Sequence, residues 1–387
     1  MDQAPLTQPP FLCLDWSECL AAGGWSEKET GELREEAGAW LGCAPLSVTQ
    51  KAHLPPSGDR RDYWSIPPYA WPNLKQQDGQ PWISRDGEVN PAFYEYDAFR
   101  FETLCEALPR LILGAKVLQD LSLARHAALL LKTWFLDSET GMNPHLTYAQ
   151  VVPGRAAAES NGIIDTSSLV FLLDAVEQLP LHDQWSAQDQ AALRGWASAY
   201  LDWLLDSVQA RREAEHHNNR TAWLHAQVCR LALFAHRPEL ARQRIEAHVY
   251  SELDLQFQPD GSQPHELKRT LALTYCSYTL MAFGALAQCA RALGLDLWSW
   301  KSPRGSSLRQ GVEWMCPYYS GQAWAWPQIK PFEMRSAALV LNLAWQGTGE
   351  ESFRVLRDRV RRQVWDGLIF SKSRMACRRV PVPFRER

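Results

Sequence analysis

The densest group of reactive side chains in this sequence occupies the nine positions from 215 to 223, which read EHHNNRTAW. Imidazoles, amides, a guanidinium and an indole follow one another there, at His216, His217, Asn218, Asn219, Arg220 and Trp223. Polar donors placed where a core helix begins are costly to bury unless a ligand or a partner group uses them. The stretch is therefore the first candidate for a functional site.

A second polar segment, DGSQPHELKRT, follows at positions 260–270, and Tyr275 comes shortly after it. The guanidinium of Arg269 offers a planar fork of donors that suits a carboxylate, and the amide of Asn219 adds a neutral donor. Together the two segments predict a site for an anionic, hydroxyl-rich ligand.

The elements that must position these groups are helices. Apolar residues recur at three- and four-residue steps over residues 27–41, 93–119, 121–135, 167–179, 223–235, 239–257, 270–293, 307–315, 334–345 and 351–364. Ser186 with Asp189 marks a further helix start, because a Ser followed three residues later by an acid is a capping pattern. An alternating strand pattern is almost absent. We therefore expect an all-α array of helical hairpins.

No Pro- or Gly-rich linker separates two cores, so we expect one domain over residues 26–370. It would carry an N-terminal extension over 1–25 and a basic C-terminal tail over 371–387. Loops at 55–91 and 141–150 interrupt the helical pattern and are rich in aromatic side chains. Long ordered loops of this kind are usually functional.

Composition excludes several classes of protein. The net charge of −4 gives no basic field for nucleic acid. Nine cysteines without a CxxC pair argue against a disulfide framework and against a structural zinc site. No apolar run reaches membrane-spanning length. We expect neither a metal nor another cofactor.

Several motifs, in this order, resemble those of the alginate lyase domain family. They are SGD at 57–59, PYAWPN at 68–73, RDGE at 85–88, TWFLD at 133–137, MNP at 142–144, YAQ at 148–150, and DGSQP at 260–264 followed by EL and RT. The resemblance runs from Pro55 to Trp326, which is most of the chain. It implies a single-domain, incomplete α/α toroid that cleaves polyuronates by β-elimination.

The resemblance also implies an active site built from an Asn-His pair, an Arg and a Tyr. Asn219, Arg269 and Tyr275 occupy three of these positions, and Arg220 stands where the family has its His. Elimination removes the C5 proton of a uronate, so the neighbouring carboxylate must be neutralised. We assign that role to Asn219 and Arg269, with Tyr275 as base and acid.

A guanidinium keeps its proton in proteins, so Arg220 would serve as an additional cation and not as a base. His217 and His216 are reserve bases. Residues that would line sugar subsites are Tyr63, Tyr69, Trp71, Tyr148, Gln150 and Trp223. Arg60 would hold a flanking carboxylate or remain solvated.

Other interpretations of the same residues stay open. Asn219 would also serve as a helix cap, Arg269 as a partner of Glu266, and Tyr275 as a core residue. With Arg in the His position, the protein would alternatively bind uronates without cleaving them. A glycosidase using two carboxylates, such as Asp165 and Asp260, is a third hypothesis.

The expected partner is an acidic polysaccharide or oligosaccharide, with no nucleic acid and no membrane span, and the chain is expected to be a monomer. The family resemblance implies a periplasmic or secreted protein. The N-terminus shows no export signal, which predicts a cytoplasmic protein if Met1 is the native start.

Overall fold

A computed structural model describes residues 25–155, 157 and 162–364. Its α-helices are α1 (Glu27–Trp40), α2 (Asp97–Leu118), α3 (Leu121–Leu131), α4 (Leu169–Val176), α5 (Ala187–Asp206), α6 (Val208–Glu213), α7 (Asn219–Phe234), α8 (Pro238–Arg244), α9 (Tyr250–Gln256), α10 (Pro264–Leu267), α11 (Ala272–Ala292), α12 (Leu308–Tyr319), α13 (Met334–Thr348) and α14 (Glu351–Val364). Short 3-10 helices lie at Val48–Gln50, Pro91–Glu95 and Ile163–Thr166, and π-helical turns at Lys132–Leu136 and Ile245–Val249.

The helices form two layers that alternate along the chain. An inner row runs α2, α4, α7, α11, α13, each helix packed on the next. The outer row consists of α3, α5, α8, α12 and α14. Of these, α3, α8, α12 and α14 each pack on the inner helix that precedes them, whereas α5 packs on α7, the inner helix that follows it. This is the predicted α/α toroid. Of the pairs among the described residues, α2 and α13 share no comparable contact, so the ring is open.

The central helix α7 is buried on almost every side, from Asn219 to Phe234. It packs against α4, α5, α8 and α11. Because its hydrogen-bonded backbone is satisfied internally, a helix with this pattern can cross the core of a large domain. The polar residues at its start then lie at one end of that core.

The predicted helices can be compared with the observed ones at two places. The expected start at Ser186 is confirmed: its hydroxyl accepts from the Asp189 N–H, and Asp189 Oδ2 accepts from Ser186 N–H, which forms a capping box. The helix expected over 239–257 is instead divided by the π-helical turn Ile245–Val249. A π-turn adds one residue to the helical turn, and apolar periodicity alone does not report it.

A two-stranded antiparallel sheet shapes the long aromatic loop. Strand β1 (Ala70–Trp71) pairs with β2 (Ile83–Ser84), and the N–H of Arg85 donates to the carbonyl of Tyr69 at 2.9 Å. The pairing brings Tyr69 beside the turn that contains Asp86. Neither strand was predicted from the sequence, because two-residue strands carry no alternating pattern.

Two expectations from composition can be compared with the described residues. The six cysteines of that part of the chain are free thiols: Cys43, Cys105, Cys229, Cys276, Cys289 and Cys316. None of its helices is long and apolar enough to cross a bilayer. The predicted tail over 371–387 and nearly all of the extension over 1–25 lie outside the described residues.

Candidate active site

Candidate residues gather near the N-termini of three inner helices, α4, α7 and α11. Asn219 is the first residue of α7, and Tyr275 lies in the first turn of α11. Ser167, just before α4, exchanges a 2.6 Å hydrogen bond with Tyr278 of α11. Helix N-termini carry partial positive charge and exposed N–H groups. This end of the fold therefore favours an anionic ligand.

Arg269 is the centre of the first group of contacts. Its Nε and Nη2 donate to the two carboxylate oxygens of Asp86 at 3.1 and 2.6 Å. Its Cζ lies 3.6 Å from the ring centroid of Tyr275, a cation–π contact. The Arg269 side chain is 28% exposed, so it is held by Asp86 and Tyr275 and still reaches solvent.

Asp86 fixes this arrangement from a distant part of the chain. Besides Arg269 it accepts from the N–H and the hydroxyl of Thr270 at 3.1 and 2.9 Å. Burial alone would raise the pKa of Asp86, but the hydrogen bonds from Arg269 and Thr270 outweigh it and lower the pKa. Asp86 is thus a carboxylate that orients a cation.

Tyr275 is half-buried, and its hydroxyl donates to the hydroxyl of Tyr69 at 3.1 Å. Burial raises the pKa of Tyr275, the nearby Tyr69 raises it further, and the Arg269 charge opposes both. The resting side chain is therefore a neutral phenol at pH 7. The charge of Arg269 by itself would favour the phenolate, but burial has the larger effect on the pKa of Tyr275.

Asn219 forms hydrogen bonds with a second carboxylate, that of Glu266. Its backbone N–H and its Nδ2 donate to Oε1 of Glu266 at 2.7 and 2.9 Å. Glu266 precedes Arg269 by one turn, and the N–H of Arg269 donates to its carbonyl at 3.0 Å. The helix cap is Asn218, whose side chain accepts from the N–H of Arg220. Asn219 is therefore free of the capping role that the sequence left open.

Arg220 lies in a separate, more buried group. Its Nε donates to Oε1 of Glu213 at 3.0 Å, and its Nη2 is buried without a hydrogen-bond partner. Glu213 is fully buried, which raises its pKa to about 7 although the Arg220 charge opposes that rise. His216 Nε2 lies 3.8 Å from Glu213 Oε2. Burial, and then the Arg220 charge, lower the pKa of His216.

Asp165 is the other acid of this region. Its carboxylate accepts from Tyr63 at 3.1 Å, from Ser65 at 2.5 Å and from Gln150 Nε2 at 2.5 Å. Burial raises the pKa of Asp165 against these three hydrogen bonds and the charge of Arg220. Asp260 instead lies in an exposed turn, where it accepts from the Ser262 N–H. The two acids proposed for a glycosidase therefore have different environments.

His217 points toward another helix. Its Nδ1 lies 2.8 Å from Oε1 of Glu252 in α9, and 45% of its side chain is exposed. Its backbone has a φ of +48°, and its N–H donates to the Thr221 hydroxyl. Its contacts do not link it to Arg269 or Tyr275.

The residues predicted to line sugar subsites divide into two sets. Tyr63, Gln150 and Trp223 are buried, at 0%, 8% and 1% exposure. Tyr69, Trp71 and Tyr148 keep exposed surface.

Contacts with backbone groups hold Trp71 and Tyr148 of the second set, and also Arg60. The indole N–H of Trp71 donates to the carbonyl of Glu88 at 3.0 Å. Tyr148 forms an isolated parallel β-bridge with Trp64. The exposed guanidinium of Arg60 donates to the carbonyls of Thr49 and Lys51 at 3.4 and 3.5 Å. The exposed set is therefore the one available to a ligand.

Sequence reasoning missed the acids that hold the cations. Asp86 lies inside the RDGE motif, but its pairing with Arg269 was not predicted. Glu266 was named only as an alternative partner of Arg269, and its side chain instead accepts from Asn219. Glu213 lies seven residues before Arg220 and has no motif of its own. Among the described residues, no group of three or more His, Cys, Asp or Glu side chains is placed to hold a metal ion.

Comparison with solved structures gives several matches. An alginate lyase from Bacteroides ovatus matches with a TM-score of 0.81 and 28% identity, over 89% of this chain and 91% of that chain. Alginate lyase A1-III from Sphingomonas species A1 matches with a TM-score of 0.51 and 15% identity, over 84% of this chain and 90% of that chain. A histidine-to-alanine variant of A1-III, complexed with a tetrasaccharide, matches with a TM-score of 0.54 and 14% identity, over 84% and 90%.

The two A1-III likenesses, being so low in identity, show the fold alone. A comparison with curated proteins gives no match. The sequence model of the alginate lyase family matches residues 47–325, well over half of the chain. The chain therefore belongs to the alginate lyase family, and with it to the polysaccharide lyases.

Proposed function

We propose that this lyase cleaves a uronate polymer of the alginate or polymannuronate type by β-elimination, with Tyr275 as base and acid. The observation that carries the proposal is the Arg269 guanidinium, which Asp86 holds against the ring of Tyr275. A carboxylate bound to the open side of Arg269 would lie next to the phenol. The same cation would thus neutralise the acid group and adjoin the group that moves the proton.

The chemistry balances without another reactant. Removal of the C5 proton leaves an electron pair that forms the C4–C5 double bond, and the C4–O bond breaks. Tyr275 takes the C5 proton as phenolate and returns a proton to the departing oxygen. Arg269 and Asn219 would stabilise the charge that develops on the substrate carboxylate, and Arg220 would add a second positive charge.

Because burial keeps Tyr275 protonated at rest, it must first lose a proton. The hydroxyl of Tyr69 accepts the hydrogen bond of Tyr275 at 3.1 Å and is itself half-exposed, so it can release its own proton to solvent as it takes the proton of Tyr275. Tyr69 would therefore work with Tyr275 and would not only line a subsite. The measurement for this step is kcat/KM of Tyr69→Phe, which should fall at every pH. An unchanged value would remove Tyr69 from the pathway.

A polysaccharide panel tests the proposed function. Purified protein is incubated with polymannuronate, polyguluronate, glucuronan and a heparin-like chain, and near-ultraviolet absorbance of unsaturated ends is followed. We expect a signal on at least one polyuronate. No signal on any of them, with circular dichroism showing folded protein, would refute the proposal.

A non-catalytic uronate-binding protein is the second candidate, favoured by Arg220 in place of the family's His. It predicts binding of oligouronates without turnover, and activity created by Arg220→His. The ion pair with Glu213 complicates that test, because Arg220→His leaves Glu213 buried without its cation. The informative variant is therefore Arg220→His combined with Glu213→Gln. If the natural chain already cleaves and both variants lower the rate, this candidate is wrong.

We further propose that one domain over residues 26–370 carries the activity as a monomer. Its helical array over the described residues forms one continuous core, which supports a single unit. Light scattering of the full chain during chromatography tests the oligomeric state. A mass twice that of one chain would contradict the monomer.

A further inference from the structure

Four aromatic rings form a cluster beside the candidate active site. Trp314 and Tyr318 lie on α12, and Trp324 and Trp326 lie in the loop that follows it. All six pairs of these rings have centroids 4.8 to 6.0 Å apart. All four residues are half-buried, so the aromatic cluster presents surface to solvent.

The cluster is layered. Trp314, Tyr318 and Trp324 pack against the hydrophobic core, whereas Trp326 rests on those three rings. An indole that served only as part of the hydrophobic core would be fully buried, as Trp134 and Trp185 are. A half-exposed indole supported by three rings is a rigid apolar surface.

One backbone hydrogen bond and one side-chain hydrogen bond join this surface to the helix that carries Tyr275. The N–H of Ala272 donates to the carbonyl of Pro327 at 2.9 Å, and the N–H of Leu273 donates to Gln328 Oε1 at 3.1 Å. Trp326 is therefore one residue away from a hydrogen bond to the first residue of α11.

The same loop also reaches the Asp86 turn. The N–H of Ile329 donates to the carbonyl of Thr270 at 3.0 Å, and Lys330 Nζ donates to the carbonyl of Gly87 at 2.5 Å. Lys330 thus lies four residues after Trp326 in the same loop, and its ammonium contacts the turn that carries Asp86.

On the other side, the turn at Gly261 packs on the cluster. A Cβ at Gly261 would lie 2.9 Å from the Cβ of Trp314. From there the chain passes through α10 to Arg269, with His265 and Lys268 exposed on the way. Two segments therefore connect the aromatic cluster with the site, and both carry exposed cationic or ionisable side chains.

We propose that the aromatic cluster is a distal binding platform for the same polyuronate chain, occupied by sugar units beyond those at Arg269 and Tyr275. This inference rests on the proposed function for the identity of the chain. The C–H face of a pyranose is apolar and stacks on an indole, and a few placed polar groups fix its orientation. Trp326 supplies the stacking surface, and Lys330 pairs with a carboxylate of the chain.

The test is the dependence of kcat/KM on the length of a series of oligouronates, for the natural chain and for Trp326→Ala. We expect the variant to lose about ten-fold on long chains, the size of one aromatic contact, and less than two-fold on the shortest oligomer cleaved. Trp326→Phe, which keeps a ring, should recover most of the loss.

Trp300→Ala is the matched control. Trp300 is also half-buried and also packs on one aromatic ring, that of Tyr250 at 5.0 Å. It lies beyond the C-terminal end of α11, whereas Tyr275 lies near the start of that helix. It should leave the chain-length dependence unchanged.

Equal activity of Trp326→Ala at every length would overturn the inference, as would an equal loss at every length, which would show a purely structural role. If the natural chain binds but does not cleave, calorimetric titration of the same oligomers decides: the inference requires a length-dependent loss of affinity in Trp326→Ala. Binding without cleavage, together with that loss of affinity, would refute the proposed function and support the distal binding platform. Absence of binding to every oligomer would refute both.

Discussion

At the scale of single residues, the site is a set of hydrogen-bond donors, two of them cations, each held by an acid. Asp86 holds Arg269, Glu213 holds Arg220, and Glu266 holds Asn219. Each acid determines where the donor points, and each donor keeps part of its hydrogen-bonding capacity for something else. The positions of these acids are therefore as important for the proposed chemistry as the residues that would contact substrate.

Asp86→Asn tests the first of these pairs. The amide offers one acceptor where the carboxylate offers two, so Arg269 loses its bidentate support and can leave the ring of Tyr275. We expect kcat/KM on a polyuronate to fall by up to about 100-fold, the cost of misplacing a reacting group by about 1 Å. Glu88→Gln is the control: Glu88 is an exposed neighbour whose carboxylate lies 3.8 Å from Arg85. Equal effects of the two substitutions would disprove the role of Asp86.

Glu213 makes stability depend on pH. Its pKa is about 7 in the folded chain against an ordinary value of 4.5. The folded state thus binds the proton more tightly, and this contribution to stability is full below pH 4.5 and is lost as pH rises through 7. The change is about 3 kcal/mol at most. We expect the free energy of unfolding of Glu213→Gln, relative to the natural chain, to rise between pH 5 and pH 8. Urea denaturation at both pH values measures it, and parallel pH profiles would contradict the assignment.

At the scale of elements, short irregular segments decide the geometry and the long helices support them. Gly87 shows this most clearly. It has a φ of +82°, and a Cβ there would lie 2.8 Å from Thr270 Oγ1 and 2.9 Å from Ile329 Cδ1. Only glycine lets the Asp86 turn approach the start of α11 so closely. The turn, the loop at 327–330 and the first turn of α11 therefore act as one unit.

Gly87→Ala should break that unit. It combines backbone strain of about 1–3 kcal/mol with a steric contact that moves the turn carrying Asp86, so we expect lower stability and loss of most activity. Gly349→Ala separates the two effects, because Gly349 has a φ of +71° but open space around its Cβ position. That control should lower the melting temperature and leave kcat/KM unchanged. Full activity of Gly87→Ala would show that the turn does not position the site.

At the scale of the whole molecule, the toroid brings together the N-terminal ends of α4, α7 and α11, and the candidate residues lie near them. The helical class and most helix positions were predictable, because apolar periodicity and caps such as Ser186 are local signals. The pairing of Arg269 with Asp86 was not, since 183 residues separate them. Nor does a sequence report which face a ring occupies, so Tyr63 and Trp223 were expected at the cleft and are buried in the structure.

The central claim is that the phenol of Tyr275 moves the proton in an elimination reaction. The most direct measurement is the rate at which unsaturated ends appear on a polyuronate, from pH 6 to about pH 9, for the natural chain and for Tyr275→Phe. Because the pKa of Tyr275 is raised above its ordinary value of ~10, the phenolate fraction grows throughout this range. We therefore expect kcat/KM of the natural chain to rise about ten-fold per pH unit, and Tyr275→Phe to be slower by about 10²–10⁴-fold. Cleavage by Tyr275→Phe at the natural rate, with the same pH dependence, would contradict the account.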